Sequence, residues 1–157
     1  WDLYKIMKYI DSFNPEVVQP YRNVMDDTYI SSGLKYWIDK NNAGVCFFSP
    51  IKHGLLTGKY IEPAKFGDGD FRSRVSGFDD DAIIKKMQKN KLLLEEKFSD
   101  HPHPVMKGII DSLLFDSPSG CALLGQRNIE QVNTASTLGE MLSQDDVAWI
   151  KSLYKSS

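Results

Sequence analysis

The strongest constraint on this chain is an unbroken apolar run, Ala43-Gly-Val-Cys-Phe-Phe48, with Asn41 and Asn42 before it and Ser49 and Pro50 after it. A short run with no polar alternation has to be covered on both faces. Runs of this kind belong to parallel sheets wrapped by helices. Ser119-Gly-Cys-Ala-Leu-Leu124 has the same character and is expected to be a second buried strand. Glu16-Val-Val-Gln-Pro20 is a briefer β-branched run that ends at a proline, as a strand does when it enters a loop.

Helical periods fill the intervals. Residues 1–10, starting at Trp1, place Leu3, Ile6, Met7 and Ile10 on one face between Lys5 and Lys8. Residues 28–41 align Ile30, Leu34, Trp37 and Ile38, against a cost of roughly 1 kcal/mol for Gly33 relative to alanine. Residues 80–98 carry an apolar face behind the capping acids Asp79, Asp80 and Asp81. Further helices are expected over 104–115, with Pro104 in the first turn, over 128–138, and over 143–153 with Ser143 as cap. Helices alternating with buried strands predict an α/β fold of right-handed parallel units, with loops gathered at the strands' C-terminal ends. The stretch from 49 to about 78 is too long for a plain connection, which marks it as functional or mobile.

With 157 residues and 41% of them hydrophobic, the chain can bury one core. Nineteen Lys and Arg against twenty-one Asp and Glu give a net charge of −2, so no basic excess points to nucleic acid or an anionic membrane. No apolar stretch approaches the roughly 18 residues of a membrane helix. Cys46 and Cys121, both inside apolar runs, read as reduced, buried thiols of a cytoplasmic protein. The first residue is Trp1 rather than Met, as expected if the sequence starts partway through a gene product. His101-Pro-His103 lacks a third ligand and Asp68-Gly-Asp70 lacks the rest of a calcium loop, so no metal site is expected. Phe13, Tyr21, Phe47 and Trp149 have no polar companions and read as core.

The chemistry concentrates after the strongest strand. Ser49-Pro-Ile-Lys-His-Gly-Leu-Leu-Thr-Gly-Lys-Tyr60 offers small residues, hydroxyls and a lysine, which suit contacts to a phosphate at the edge where parallel sheets bind ligands. It is not a P-loop: three residues separate Gly54 from Gly58, and Tyr60 follows Lys59 where Ser or Thr is required. The residues alone leave an anion-binding loop and an irregular connection both open. His53 either lines the site or bridges loop backbone, and Arg72-Ser-Arg74 either closes over a ligand or solvates a loop.

The same segment, taken from Phe48, resembles the stretch after the seventh barrel strand of the aldo/keto reductase family, where Ser-Pro-Leu-x-x-Gly-Leu-Leu-Thr-Gly-Lys-Tyr wraps the pyrophosphate of NADPH. Val17-Val-Gln-Pro-Tyr21 is similar to the family's sixth strand. Ala122-Leu-Leu-Gly-Gln-Arg-Asn-Ile-Glu-Gln-Val132 is similar to its eighth strand and the helix start behind it. The resemblance implies that residues 1–157 are the C-terminal half of a TIM (β/α)8 barrel, strands six to eight with their helices, with 49–78 as the cofactor-facing loop.

It implies roles as well. Gln19 would hydrogen-bond the nicotinamide carboxamide and Phe48 would stack on its ring, where the family often has Tyr or Trp. Ser49, Ile51, Gly54, Leu55 and Lys59 would surround the pyrophosphate. Gly125, Gln126, Arg127 and Gln131 would meet the adenosine end, with Arg127 on the 2′-phosphate. The chain departs from the family at Thr134 and Ala135, where many members place Glu-Asn against the adenine. The family's catalytic Asp, Tyr, Lys and His lie in the barrel's first half, which this sequence does not contain. The implied activity is NADPH-dependent reduction of aldehydes or ketones, requiring the N-terminal half of the barrel or a second copy of the chain to close the wall, and no activity is expected from the chain alone. The alternative is a non-catalytic nucleotide-binding or self-associating fragment.

Overall fold

The computed structural model describes residues 2–155, so Trp1 of the expected first helix lies outside the described residues. Three parallel strands form one sheet in the order β1 (Val17–Val18), β2 (Gly44–Phe47), β3 (Cys121–Ala122). Val17 pairs with Gly44 and Val18 with Val45, and on the other side Cys46 pairs with Cys121 and Phe47 with Ala122. A parallel bridge between Tyr21 and Phe48 extends the first pairing past the strand ends.

Alternation along the strands divides the sheet into two faces. Val18, Val45 and Phe47 point into a core built with Leu3, Ile10, Tyr29, Leu34, Trp37 and Ile38 from the four short helices α1 (Leu3–Met7), α2 (Ile10–Phe13), α3 (Thr28–Ser31) and α4 (Leu34–Asn41). The other face carries Val17, Cys46 and Cys121, and it is open: Val17 is 63% exposed, and Leu123, just beyond β3, is 43% exposed. The expected strands at 43–48 and 119–124 are therefore each covered on one face only, and the second is also an edge of the sheet. Cys46 is half-buried and Cys121 exposed, which corrects the expectation of two buried thiols.

Two expected helices are broken. The first stops at Met7 and restarts at Ile10, closing at Asn14, which takes a left-handed conformation at φ 42°. In the second, Gly33 sits at φ 85° and separates α3 from α4. Glycine is the residue that enters this region without steric cost, so it ends one helix and aims the next. Phe13, read as core, is 79% exposed at the last residue of α2, whereas Ile10 of the same turn is buried.

The second core lies under α5 (Asp81–Lys97), α6 (Pro104–Phe115) and α8 (Gln144–Tyr154), where Leu94, Ile109, Leu113 and Ile150 are sealed. Asp80 caps α5 by accepting from the Ala82 and Ile83 amides, and Ser143 caps α8 by accepting from Asp146 N–H. The Tyr154 hydroxyl donates to Leu56 O at 3.1 Å, tying the last helix to the turn that follows β2. α7 (Ile129–Ala135) lies outside, with no buried residue. No helix among the described residues is long and apolar enough to cross a membrane.

Candidate functional site: a basic cleft beyond the strand ends

The chain leaves β2 under tension. Ser49, Lys52 and His53 all have positive φ, between 46° and 57°, followed by Gly54 at 91° and Gly58 at 66°. Side chains in this region cost of order 1–3 kcal/mol each and survive only where packing over-determines them. The packing is visible: Leu55 and Leu56 are fully buried, one against Phe78 and Ile84 and the other under α6 and α8. The two leucines anchor the turn from below, and Ile51 packs against the same core from its cleft side, so the rest of the upper side is left to small and polar residues.

That upper side is one wall of an open cleft of about 600 Å³, reached by Ser49, Ile51, Gly54 and Lys59. Gly125, Gln126, Arg127 and Gln131 form the opposite wall, delivered by the segment after β3. The side-chain Oε1 of Gln131 accepts the Arg127 backbone N–H at 2.7 Å, across the bend between strand end and α7. A Cβ on Gly54 would stand 3.0 Å from Lys59 Nζ and 3.1 Å from its Cε, so the glycine lets the lysine lie flat across the turn. Ser49 and His53 are shared with an adjoining cavity of about 480 Å³, which also takes in Gln19, Phe48, Tyr21 and Lys52. Phe48 is fixed there on both backbone sides, donating to Pro20 O and accepting from Arg22 N–H, with Tyr21 edge-on to its ring at 5.5 Å.

Of the eleven cofactor residues that the resemblance implies, ten line this pair of cavities, and so do His53, Arg72 and Arg74. Leu55 is the exception: its side chain is turned into the core, away from the cleft. Thr134, one of the two departures, is engaged within its own helix, donating to Glu130 O at 2.9 Å.

The loop over residues 60–78 supplies the groups that the motif did not include. Tyr60, Phe66 and Phe78 pack edge to face at 5.0 to 6.4 Å and pin the loop to the body. From that anchor Asp70, Phe71 and Arg72 come over the cleft. Arg72 grips Asp70 through Nε and Nη2 and stacks on Phe66 at 4.2 Å, while Phe71 lies 5.1 Å from the His53 ring. The Arg72 hydrogen bonds hold Asp70 down to about 2, so it stays ionised. Partial burial, with Arg72 adding to it, pushes His53 below its usual range and keeps it neutral at pH 7. Lys59, Arg72 and Arg127 against Asp70 leave the cleft net positive, a setting for an anion with several phosphate oxygens. No group of His, Cys, Asp and Glu among the described residues could hold a metal ion.

Parallel strands with helices packed on one face and a cleft beyond their C-terminal ends are an arrangement that α/β barrels have. The chain is similar in structure to an aldo-keto reductase, the glycerol dehydrogenase AKR11B4 from Gluconobacter oxydans, with a TM-score of 0.77 and 22% sequence identity. The match covers 95% of this chain and 45% of that protein, so the chain has the fold of about half an aldo-keto reductase barrel. No protein-family model matches the sequence, and no curated protein matches it.

Proposed function

We propose that the chain is the cofactor-binding half of an NADPH-dependent oxidoreductase of the aldo/keto reductase type, providing strands six to eight of its barrel. The observation that carries the reading is the meeting of two sequence-distant segments, 49–59 and 123–131, in one basic cleft beyond adjacent parallel strands. Its residue types fit a dinucleotide diphosphate. Lys59 and the turn around Gly54 face the pyrophosphate, with Ser49, Ile51 and the Leu55 backbone completing the turn, and Arg127 faces the 2′-phosphate. Gly125, Gln126 and Gln131 border the adenosine, and Phe48 and Gln19 meet the nicotinamide from the adjoining cavity.

Bound there, NADPH supplies the hydride for reduction of an aldehyde or ketone. The chain's own groups orient it: a flat aromatic at Phe48 selects which nicotinamide face is presented, and the positive cleft holds the phosphates. The general acid comes from the other half of the barrel, which closes against the open face carrying Val17, Cys121 and Leu123. Arg127→Ala tests the assignment. It is expected to weaken NADPH by roughly 1.5–3 kcal/mol, the range for a charged hydrogen bond, and to leave NADH nearly unchanged in fluorescence titration. Equal losses for both nucleotides would remove Arg127 from the 2′-phosphate.

A further inference from the structure

The cavity of about 480 Å³ beside the cleft holds charges that the cofactor reading does not use. Its main walls come from residues 19–28, 48–53 and 71–76, beyond the strand ends, and none of the open-face residues Val17, Cys121 and Leu123 lines it. Lys52 is half-buried there at φ 46°, a left-handed conformation that a lysine keeps only where the surrounding packing holds it. Arg74 reaches the same space from the end of the short helical turn Phe71–Arg74. Among the described residues Asp26 is the only carboxylate in the lining, and its Oδ1 already accepts the Thr28 N–H at 3.0 Å. The ion pairs of the described residues include none of these three.

We propose that this cavity receives the carbonyl substrate, and that the substrate is an aldehyde or ketone carrying one carboxylate, which Lys52 and Arg74 hold. The proposal rests on the cofactor reading, which puts the nicotinamide at Phe48 and Gln19 in the same cavity. Charge decides which anion fits. Lys52 and Arg74 are opposed by Asp26 while His53 is neutral, so the lining has one cation in excess, which a single carboxylate neutralises and a phosphate dianion would overshoot. The guanidinium fork of Arg74 matches the two oxygens of a carboxylate. Burial pushes the Lys52 ammonium below its ordinary value, with Asp26 opposing, so an arriving carboxylate replaces stabilisation that solvent no longer supplies. The carbonyl carbon accepts the hydride and its oxygen one proton, so the product is a hydroxy acid and NADPH leaves as NADP+.

The experiment titrates the NADPH-loaded 157-residue chain with 4-formylbenzoate and with its neutral isostere 4-formylbenzamide, by ligand-observed NMR. The acid is expected to bind at least about tenfold more tightly than the amide, the factor that one charged hydrogen bond supplies. Lys52→Met is expected to abolish the preference. Arg74→Gln, on the exposed loop and away from the strained turn, is expected to reduce it. NADPH is titrated separately on each protein, which keeps the two readings apart. A parent that does not hold NADPH would overturn the cofactor reading and the proposal with it. A parent that holds NADPH but binds acid and amide equally, or binds neither, would overturn the proposal alone. So would a Lys52→Met chain that loses NADPH affinity by the same factor, because Lys52 would then serve the nucleotide's phosphates.

Discussion

Gly58 is where the cleft turn rests on the body of the protein, and it supports a prediction with a computable size. A Cβ there would lie 2.6 Å from the Met87 carbonyl oxygen and 2.7 Å from Lys91 Cβ, and φ is +66°. The left-handed conformation costs alanine about 1–2 kcal/mol, and forcing α5 away adds about 1–3 kcal/mol. The reduced freedom of the unfolded chain returns about 0.4–1 kcal/mol. Gly58→Ala is thus expected to destabilise by about 1–5 kcal/mol, centred on ~3 kcal/mol. Two companions separate the contributions. Gly69→Ala, at φ +87° with nothing within 4 Å, bears the conformational cost alone, about 1 kcal/mol. Gly67→Ala, with neither strain nor contact, is neutral or slightly stabilising. Urea unfolding followed by tryptophan fluorescence at one protein concentration measures all three. If Gly58→Ala matched Gly69→Ala, the close approach of the turn to α5 would be refuted.

Two other predictions follow from the ion pairs and the sheet edges. Arg22, buried over the Tyr29 and Phe47 rings, pairs with Asp116 at 2.5 Å, and Lys151 reaches the same carboxylate at 2.8 Å. Burial alone would raise Asp116, but Lys151 and Arg22 outweigh it and hold the carboxyl below its usual value, so its contribution is present above about pH 4 and is lost as the pH falls through the lowered value. Asp116→Asn is expected to cost about 3 kcal/mol at pH 7 and progressively less as the pH falls from about 4 through the lowered value; a gap in urea midpoints that does not shrink through that fall would contradict this. The chain alone is expected to associate, because β1 and β3 expose unpaired edges and the open face bares Val17 and Leu123. Light scattering that gave a monodisperse monomer with cooperative thermal unfolding would show that the half barrel closes on itself.

Local signals were legible wherever one short segment determined the outcome. Pro104 in the first turn and the apolar stripe behind it defined α6 to its last residue, and the run before Ser49 defined β2. What the sequence concealed depended on partners distant in the chain. Gly33 carried a known cost, but whether it would bend a helix or end one was decided by how α3 and α4 pack on the sheet. The 119–124 run looked sealed because its apolar residues say nothing about a missing neighbour. Leu55 sits in a cofactor-like motif yet faces the core, since a tight turn must anchor some of its own side chains. The loop carrying Arg72 offered only the Arg72-Ser-Arg74 cluster, whose two readings the sequence left open. Its signal was the spacing of Tyr60, Phe66 and Phe78, three of the four aromatics in a stretch otherwise rich in Gly and Asp, which pin it within reach of the cleft.

Hydrogen exchange with and without NADPH tests the central claim most directly, because it reads both cleft segments at once on the same molecule. Slower exchange is expected in residues 49–59 and 125–131 together, with the Asp70–Arg72 loop following and α6 unchanged. Protection confined to one segment, or found only outside the cleft, would contradict a shared nucleotide site built from the ends of β2 and β3.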